Sequence, residues 1–231
     1  WQLEPEEMAF VEAFAAAARL RTEPSAGQGL KKGALGTGVA VAMSQLGLDS
    51  ALRWLTSRPW FGSLLPAAIL TDIKQVRAYL CDKPKGIRTN ARRRVMEVIQ
   101  RERPRVVVAH SLGSVVAWEA LCAIPGHGVE MLVTIGSPLG MKEVVHTRLD
   151  PKPINGRAAW PGVKRWVNLA EAGDIVAAEP HLKERFSRSP DQAIIVDVPV
   201  SNGMSDPHSA MHYLTASATG QAIAEGGGLI L

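Results

Sequence analysis

The stretch that most constrains this 231-residue chain runs Pro104-Arg105-Val106-Val107-Val108-Ala109-His110-Ser111-Leu112-Gly113-Ser114-Val115-Val116-Ala117-Trp118. Three consecutive valines behind a proline read as a short β-branched strand, Arg105 to Ala109, of the kind buried on both faces in a parallel sheet. From Leu112 the apolar pattern becomes helical and continues to Ile124, where Pro125-Gly126 closes it. Strand and helix therefore meet at one tight turn. Such a turn calls for small neighbours, because larger side chains would drive strand and helix into each other.

The same alternation continues downstream. Met131–Ile135, Val163–Leu169 and Ile194–Val200 read as further strands, the last interrupted by Pro199, and a final helix is expected over about Pro207 to Ala224. Crossovers long enough for parallel pairing make this an α/β pattern, with a mostly parallel sheet flanked by helices. Upstream, Glu4 to Leu20 is helical, with Met8, Val11, Phe14 and Ala18 on its apolar spacing. Residues 25–39 carry five glycines without the spacing of a phosphate-binding loop. Residues 40–80 read as short helices broken at Pro59 and Pro66, bearing Trp54, Trp60, Phe61, Leu64 and Leu65; they suit either core or a lid over an apolar pocket. Nothing divides residues 1–231 into two domains.

Composition narrows the function classes. With 46% hydrophobic and 21% charged residues the chain has ordinary globular usage, and no apolar stretch reaches the roughly 20 residues of a membrane-spanning helix. The net charge of +4 is mild. Its densest basic run, Arg88, Arg92, Arg93, Arg94, Arg101, Arg103 and Arg105, surrounds Val95, Val98 and Ile99 at helical spacing and reads as a solvated helix face. No aromatic interleaving accompanies it, so no nucleic-acid partner is expected. Cys81 and Cys122 lack the spacing of a zinc site or disulfide framework and read as free thiols. The start resembles no signal peptide, and a cytoplasmic location is expected.

Chemistry concentrates at Ser111. A serine between a strand and a helix, within Ala109-His110-Ser111-Leu112-Gly113, has the form of a nucleophile elbow, with Ala109 where glycine is more usual. The helix start directs unpaired N–H groups and its positive end toward charge that develops when the hydroxyl attacks a carbonyl, and Leu112 N–H is the expected oxyanion donor. Serine alone is a weak nucleophile, so a base and an orienting acid are needed; in folds built around such an elbow they follow in the chain order Ser, Asp or Glu, His. Asp174, on the loop after Trp166-Val167-Asn168-Leu169, is the preferred acid, with Glu171 as rival. His208 is the preferred base, because it stands where the final helix opens, with His212 one turn further on. His110 is too near along the chain to serve as base and reads as a packing or hydrogen-bonding group beneath the turn.

Taken together, Ala109-His110-Ser111-Leu112-Gly113, Thr134-Ile135-Gly136-Ser137-Pro138-Leu139, the stretch from Trp166 through Asp174, and His208-Ser209-Ala210 to Tyr213-Leu214 resemble a lipase/esterase-type member of the α/β-hydrolase superfamily. The resemblance spans about residues 104–215. It implies a serine hydrolase cleaving an ester or thioester through an acyl-enzyme, with Ser111, His208 and Asp174 as the triad and Ser137, Pro138 and Leu139 lining the substrate pocket. A hydrophobic acyl group, and so an ester or lipid-like substrate, goes with the lid reading of residues 40–80. No cofactor or metal is implied. Members usually begin with a strand and a His-Gly-type loop that gives a second oxyanion donor; none is visible here, so either such strands lie before Trp1, which agrees with that start, or they are missing from within the sequence, or the helix-rich first hundred residues replace them. A non-catalytic binding module and an acyltransferase using the same residues are the alternative readings. Nothing in the sequence indicates an oligomeric state.

Overall fold

In the computed structural model of the chain, residues 5–22, 66–82, 85–188, 191, 193–202 and 206–228 are described. The glycine-rich stretch of residues 25–39 and most of the expected lid, residues 40–65, lie outside them. The described elements run α1 (Pro5–Thr22), α2 (Pro66–Cys81), α3 (Ile87–Glu102), β1 (Val106–His110), α4 (Leu112–Ala123), β2 (Met131–Ile135), β3 (Arg165–Glu171), β4 (Val196–Val200), α5 (Ala210–Thr215) and α6 (Ser217–Gly227).

The four strands form one sheet in the order β1-β2-β3-β4, every neighbouring pair parallel. Parallel pairing of neighbours in sequence requires each connection to return over a face of the sheet. Side-chain alternation along the strands then builds two cores. On one face Leu132 and Trp166 pack with Trp118 and Leu121 of α4, and α3, α2 and α1 stack outward from α4. On the other, Met131, Val133, Ile135, Val167 and Leu169 meet Tyr213 of α5 and Ala222 of α6. Trp118, Trp166 and Phe186 meet edge to face at ring separations of 5.7 and 4.8 Å, a geometry aromatic quadrupoles favour. A polar row crosses the sheet beneath them. Trp166 Nε1–H donates to Thr134 Oγ1, Thr134 donates to Asn168 Oδ1, and Asn168 donates to Asp197, in register across β2, β3 and β4.

Several expectations change in detail. The final helix is two, because Ala216 adopts an extended conformation (φ −65°, ψ 133°) between α5 and α6. The hydroxyls of Thr215 and Thr219 bond back to His212 C=O and Tyr213 C=O, carbonyls whose i+4 amides an unbroken helix would supply. Arg88 is not on a solvated face: its guanidinium pairs with Glu119, which has no solvent exposure. Of the apolar residues among these arginines, Val98 is exposed, whereas Ile99 beside it is buried. Pro199 sits within β4 without breaking it, and β4 is an edge of the described sheet, where a missing N–H leaves no ladder bond unmade. Residues 66–81, the last part of the expected lid, are α2, which packs between α1 and α3 and buries Tyr79 and Leu80 in the larger core.

Candidate active site

Each strand delivers one residue to a common point beyond its carboxyl end: Ser111 after β1, Gly136 after β2, Asp174 after β3 and His208 after β4. Carboxyl ends of parallel strands are where α/β sheets place their ligands, because the connecting loops converge there.

Ser111 stands between β1 and α4 with φ 52° and ψ −132°, a conformation an L-residue adopts only under constraint. Such a residue carries about 1–3 kcal/mol of strain and persists where its surroundings over-determine it. Here they do. Ser111 N–H continues the ladder to Ile135 C=O at 3.1 Å, and its own C=O accepts from Ser114 N–H at 3.0 Å and Ser114 Oγ–H at 2.6 Å. Ser137 Oγ lies 2.7 Å from Ser114 Oγ and accepts Leu139 N–H at 3.2 Å. With the Ser114 proton committed to Ser111 C=O, Ser137 donates to Ser114, and the three serines form a directed chain that pins the turn from inside. Ala109, in the position glycine more usually fills, is buried and accommodates its methyl.

Beyond the turn, His208 Nε2 lies 3.0 Å from Ser111 Oγ, and its Nδ1–H donates to Asp174 Oδ2 at 2.8 Å. The imidazole is about a third exposed, whereas Asp174 has no exposure at all. Asp174 Oδ1 accepts Val176 N–H at 2.9 Å and Ala177 N–H at 3.3 Å, and Oδ2 also accepts from Tyr213 Oη–H at 2.8 Å. Burial alone would push this carboxyl up, but the imidazole, the Tyr213 hydroxyl and the Val176 amide together hold it below the ordinary carboxylate value. An ionised acid, a tautomer fixed with its proton on Nδ1, and a hydroxyl facing the free nitrogen form an arrangement able to take a proton from serine as it attacks.

Neither rival reaches this chain. Glu171 turns its carboxylate to Gly173 N–H and Asn202 N–H. His212 stands on α5, and its Nδ1–H donates to Asp206 C=O at 3.0 Å. His208 stands on the turn before α5 and not at the helix start, since Ser209 is the cap. His110 has the hydrogen-bonding role read from the sequence: its Nε2–H donates to His208 C=O at 2.9 Å, and the two rings lie 4.6 Å apart. Burial, and then the neighbouring imidazole, lower the proton affinity of His110. Ser137, Pro138 and Leu139 are all buried. Leu112 and Gly113 are the first residues of α4, so their N–H groups lack intrahelical acceptors.

One more residue of the site is marked by no motif chemistry. Gly136, with φ +56°, sits so close that a Cβ there would meet Tyr213 Cε2 at 2.9 Å, Asp174 Oδ2 at 3.0 Å and His208 Cε1 at 3.2 Å. A Cβ on Gly113 meets no described atom within 4 Å, so the crowding expected at the turn itself is found one strand away. The signal for Gly136 is its position at the end of β2, in Ile135-Gly136-Ser137. Among the described residues no group of three or more His, Cys, Asp or Glu could hold a metal ion, and no helix is long and apolar enough to cross a membrane. No family model matches the chain, and neither does any curated protein or solved structure.

Proposed function

We propose that this chain is a serine hydrolase of α/β-hydrolase type that cleaves a carboxylic ester or thioester through an acyl-enzyme on Ser111. One observation carries the reading: a hydrogen-bonded row from Ser111 Oγ through His208 to a buried, ionised Asp174, assembled from residues 97 and 34 positions apart in the chain. Ser111 Oγ attacks the substrate carbonyl carbon while His208 Nε2 takes its proton, giving a tetrahedral oxyanion and an imidazolium braced by Asp174. Leu112 N–H, at the positive end of α4, donates to the oxyanion. Collapse breaks the bond to the alcohol or thiol, which leaves with the proton from His208. Water then attacks the acyl-serine, returning one proton to His208 and finally to Ser111 Oγ, and the carboxylic acid departs.

Ser137, Pro138 and Leu139 follow Gly136 on the loop after β2, and we assign them to the wall of the acyl site. The apolar character of the acyl group rests on the sequence alone. A series of p-nitrophenyl esters checks it: octanoyl is expected to turn over faster than acetyl, and the reverse order removes the lipid-like substrate. The reaction itself is tested with a fluorophosphonate probe followed by mass spectrometry. One adduct on Ser111, lost in Ser111→Ala, is expected. An unlabelled wild type, or full esterase activity in Ser111→Ala, overturns the assignment and leaves a binding module.

A further inference from the structure

Tyr213 is a fully buried side chain whose hydroxyl lies inside the Ser–His–Asp row. It donates to Asp174 Oδ2 at 2.8 Å and accepts Glu171 N–H at 2.8 Å. The accepted bond comes from the end of β3, a rigid point, and it leaves the single phenolic proton for Asp174. His208 Nδ1–H donates to the same Oδ2, also at 2.8 Å. Two donors from one short segment, Pro207 to Tyr213, thus share one oxygen of a buried carboxylate. Gly136 closes the arrangement, since any Cβ there would touch tyrosine, aspartate and histidine at once.

We propose that Tyr213 is a positioning residue for Asp174 and His208, competing with the imidazole for the charge on Oδ2 and so setting how firmly His208 holds a proton. This deepens the hydrolase reading and rests on it. A donor to a carboxylate draws off negative charge that would otherwise stabilise the imidazolium, most strongly in a buried site. Removing the hydroxyl leaves that charge to His208 and raises its proton affinity. The other groups around this pair are His110 from β1, Ser111 and the Glu171 N–H at the end of β3, with the charge of Asp206 on the preceding turn acting on His110. None of them gains or loses a charge when Tyr213 loses its oxygen.

The test uses the full chain. In Tyr213→Phe, the His208 ring nitrogens are followed against pH by 15N NMR, and kcat/KM for a p-nitrophenyl ester is measured over the same range. Both titrations should move to higher pH by about half a unit, read as roughly threefold lower kcat/KM on the acid limb with a smaller change on the plateau. The opposite arm replaces tyrosine by 3-fluorotyrosine, a more acidic phenol of nearly the same shape. Only Tyr79 and Tyr213 are present, so in a Tyr79→Phe background the label falls on Tyr213 alone. There the titration should move to lower pH. A His208 titration unmoved in both arms, or moved in the same direction by both, overturns the proposal. Should Tyr213→Phe fail to fold, the fluorotyrosine arm decides alone. If the wild type takes no fluorophosphonate and cleaves no ester, the hydrolase reading falls, while the NMR titration still decides what Tyr213 does to His208.

Discussion

Asp174 and Glu119 are both carboxylates without solvent exposure, and each accepts from a tyrosine hydroxyl and from a basic side chain, yet the two surroundings differ in what lies one bond further out. Around Glu119 the donors are Tyr79 Oη–H, the Arg88 guanidinium and Asp150 N–H, and Arg88 spends its other donors on Leu80 C=O and Arg148 C=O. Every proton there is held between fixed partners, and the network ties α2, α3 and α4 to the loop before Asp150. Around Asp174 the basic partner is an imidazole whose second nitrogen faces the hydroxyl of Ser111. A buried charge fully enclosed by permanent donors serves the fold. One that opens onto a titratable ring and then a hydroxyl can serve a reaction.

The sharpest way to break this contrast is to neutralise each acid without changing its shape. An asparagine in place of Asp174 would present its amide N–H to His208, turn Nδ1 into an acceptor and leave Nε2–H facing Ser111. Asp174→Asn should therefore lower kcat by about 10⁴-fold with the fold retained. Glu119→Gln should behave in reverse. It strands the Arg88 guanidinium, so urea unfolding should show a loss of about 3–5 kcal/mol, while turnover per folded molecule stays within about twofold. Comparable activity losses in both variants would end the distinction.

Next in size are the two glycines flanking the chemistry. Gly136→Ala pushes a methyl against Tyr213, Asp174 and His208 and strains a left-handed residue. We expect at least a roughly tenfold fall in kcat, in line with the sensitivity of catalysis to sub-ångström misplacement, and about 1–2 kcal/mol less stability. Gly113→Ala meets open space and should leave stability within about 0.5 kcal/mol. Thermal melts beside esterase assays separate the two.

These glycines also mark where sequence reading succeeds and where it stops. Ser111, Asp174 and His208 are legible because each sits at a boundary between periodicities, and the strand-to-helix change at Ser111 needs no tertiary information. The strands are legible for the same reason: β2 has the expected bounds, β1 starts and ends one residue later than its apolar run suggests, β3 starts and ends two residues later, and β4 starts two residues later. Gly136 and Tyr213 are different: both stand within segments that carry the resemblance, but their roles arise from contacts between segments dozens of positions apart, which the local pattern does not encode. Glu119 leaves a faint trace, as the lone acid inside the otherwise apolar Val115–Ala123. That is the signature of a charge whose partner must come from elsewhere, and Arg88 supplies it from a helix that spacing alone assigns to solvent. The break at Ala216 carries no proline or glycine to announce it.

Acid titration sharpens the comparison at a smaller scale. Asp174 is held below its ordinary value of 3.8, so near and below that pH the unfolded chain binds the extra proton. Its contribution to stability is complete above the unfolded value and is lost as pH falls through the folded one, with a limiting slope of about 1.4 kcal/mol per pH unit. Between about pH 4 and pH 2 the wild type should lose stability more steeply than Asp174→Asn by up to that slope, as read from urea midpoints. His110 adds a separate window. Held below 6.5 by burial and by His208, it makes the fold less stable as pH drops below that value, a component absent from His110→Gln. Parallel curves for wild type and Asp174→Asn would mean that the Asp174 carboxyl gains nothing from its partners.

The smallest expected effect lies with the second tyrosine. Tyr79 donates to Glu119 Oε2 at 2.7 Å, and burial followed by the charge of Glu119 holds its phenol far above the ordinary range, so it stays protonated at any working pH. Tyr79→Phe removes one of several donors from a carboxylate that keeps Arg88 and the Asp150 amide. A hydrogen bond to a charged acceptor is worth about 1.5–3 kcal/mol, and the remaining donors bring the loss toward the lower figure. Stability should fall by about 1.5 kcal/mol, while the pH profile of kcat/KM keeps its shape, since no proton leaves this network for Ser111. Tyr213→Phe is expected to do the opposite, moving the profile in a way Tyr79→Phe does not. If Tyr79→Phe displaces the acid limb as far as Tyr213→Phe does, the two buried carboxylates are not independent, and the helical layer then reaches the reacting atoms through α4, the helix that carries both Leu112 and Glu119.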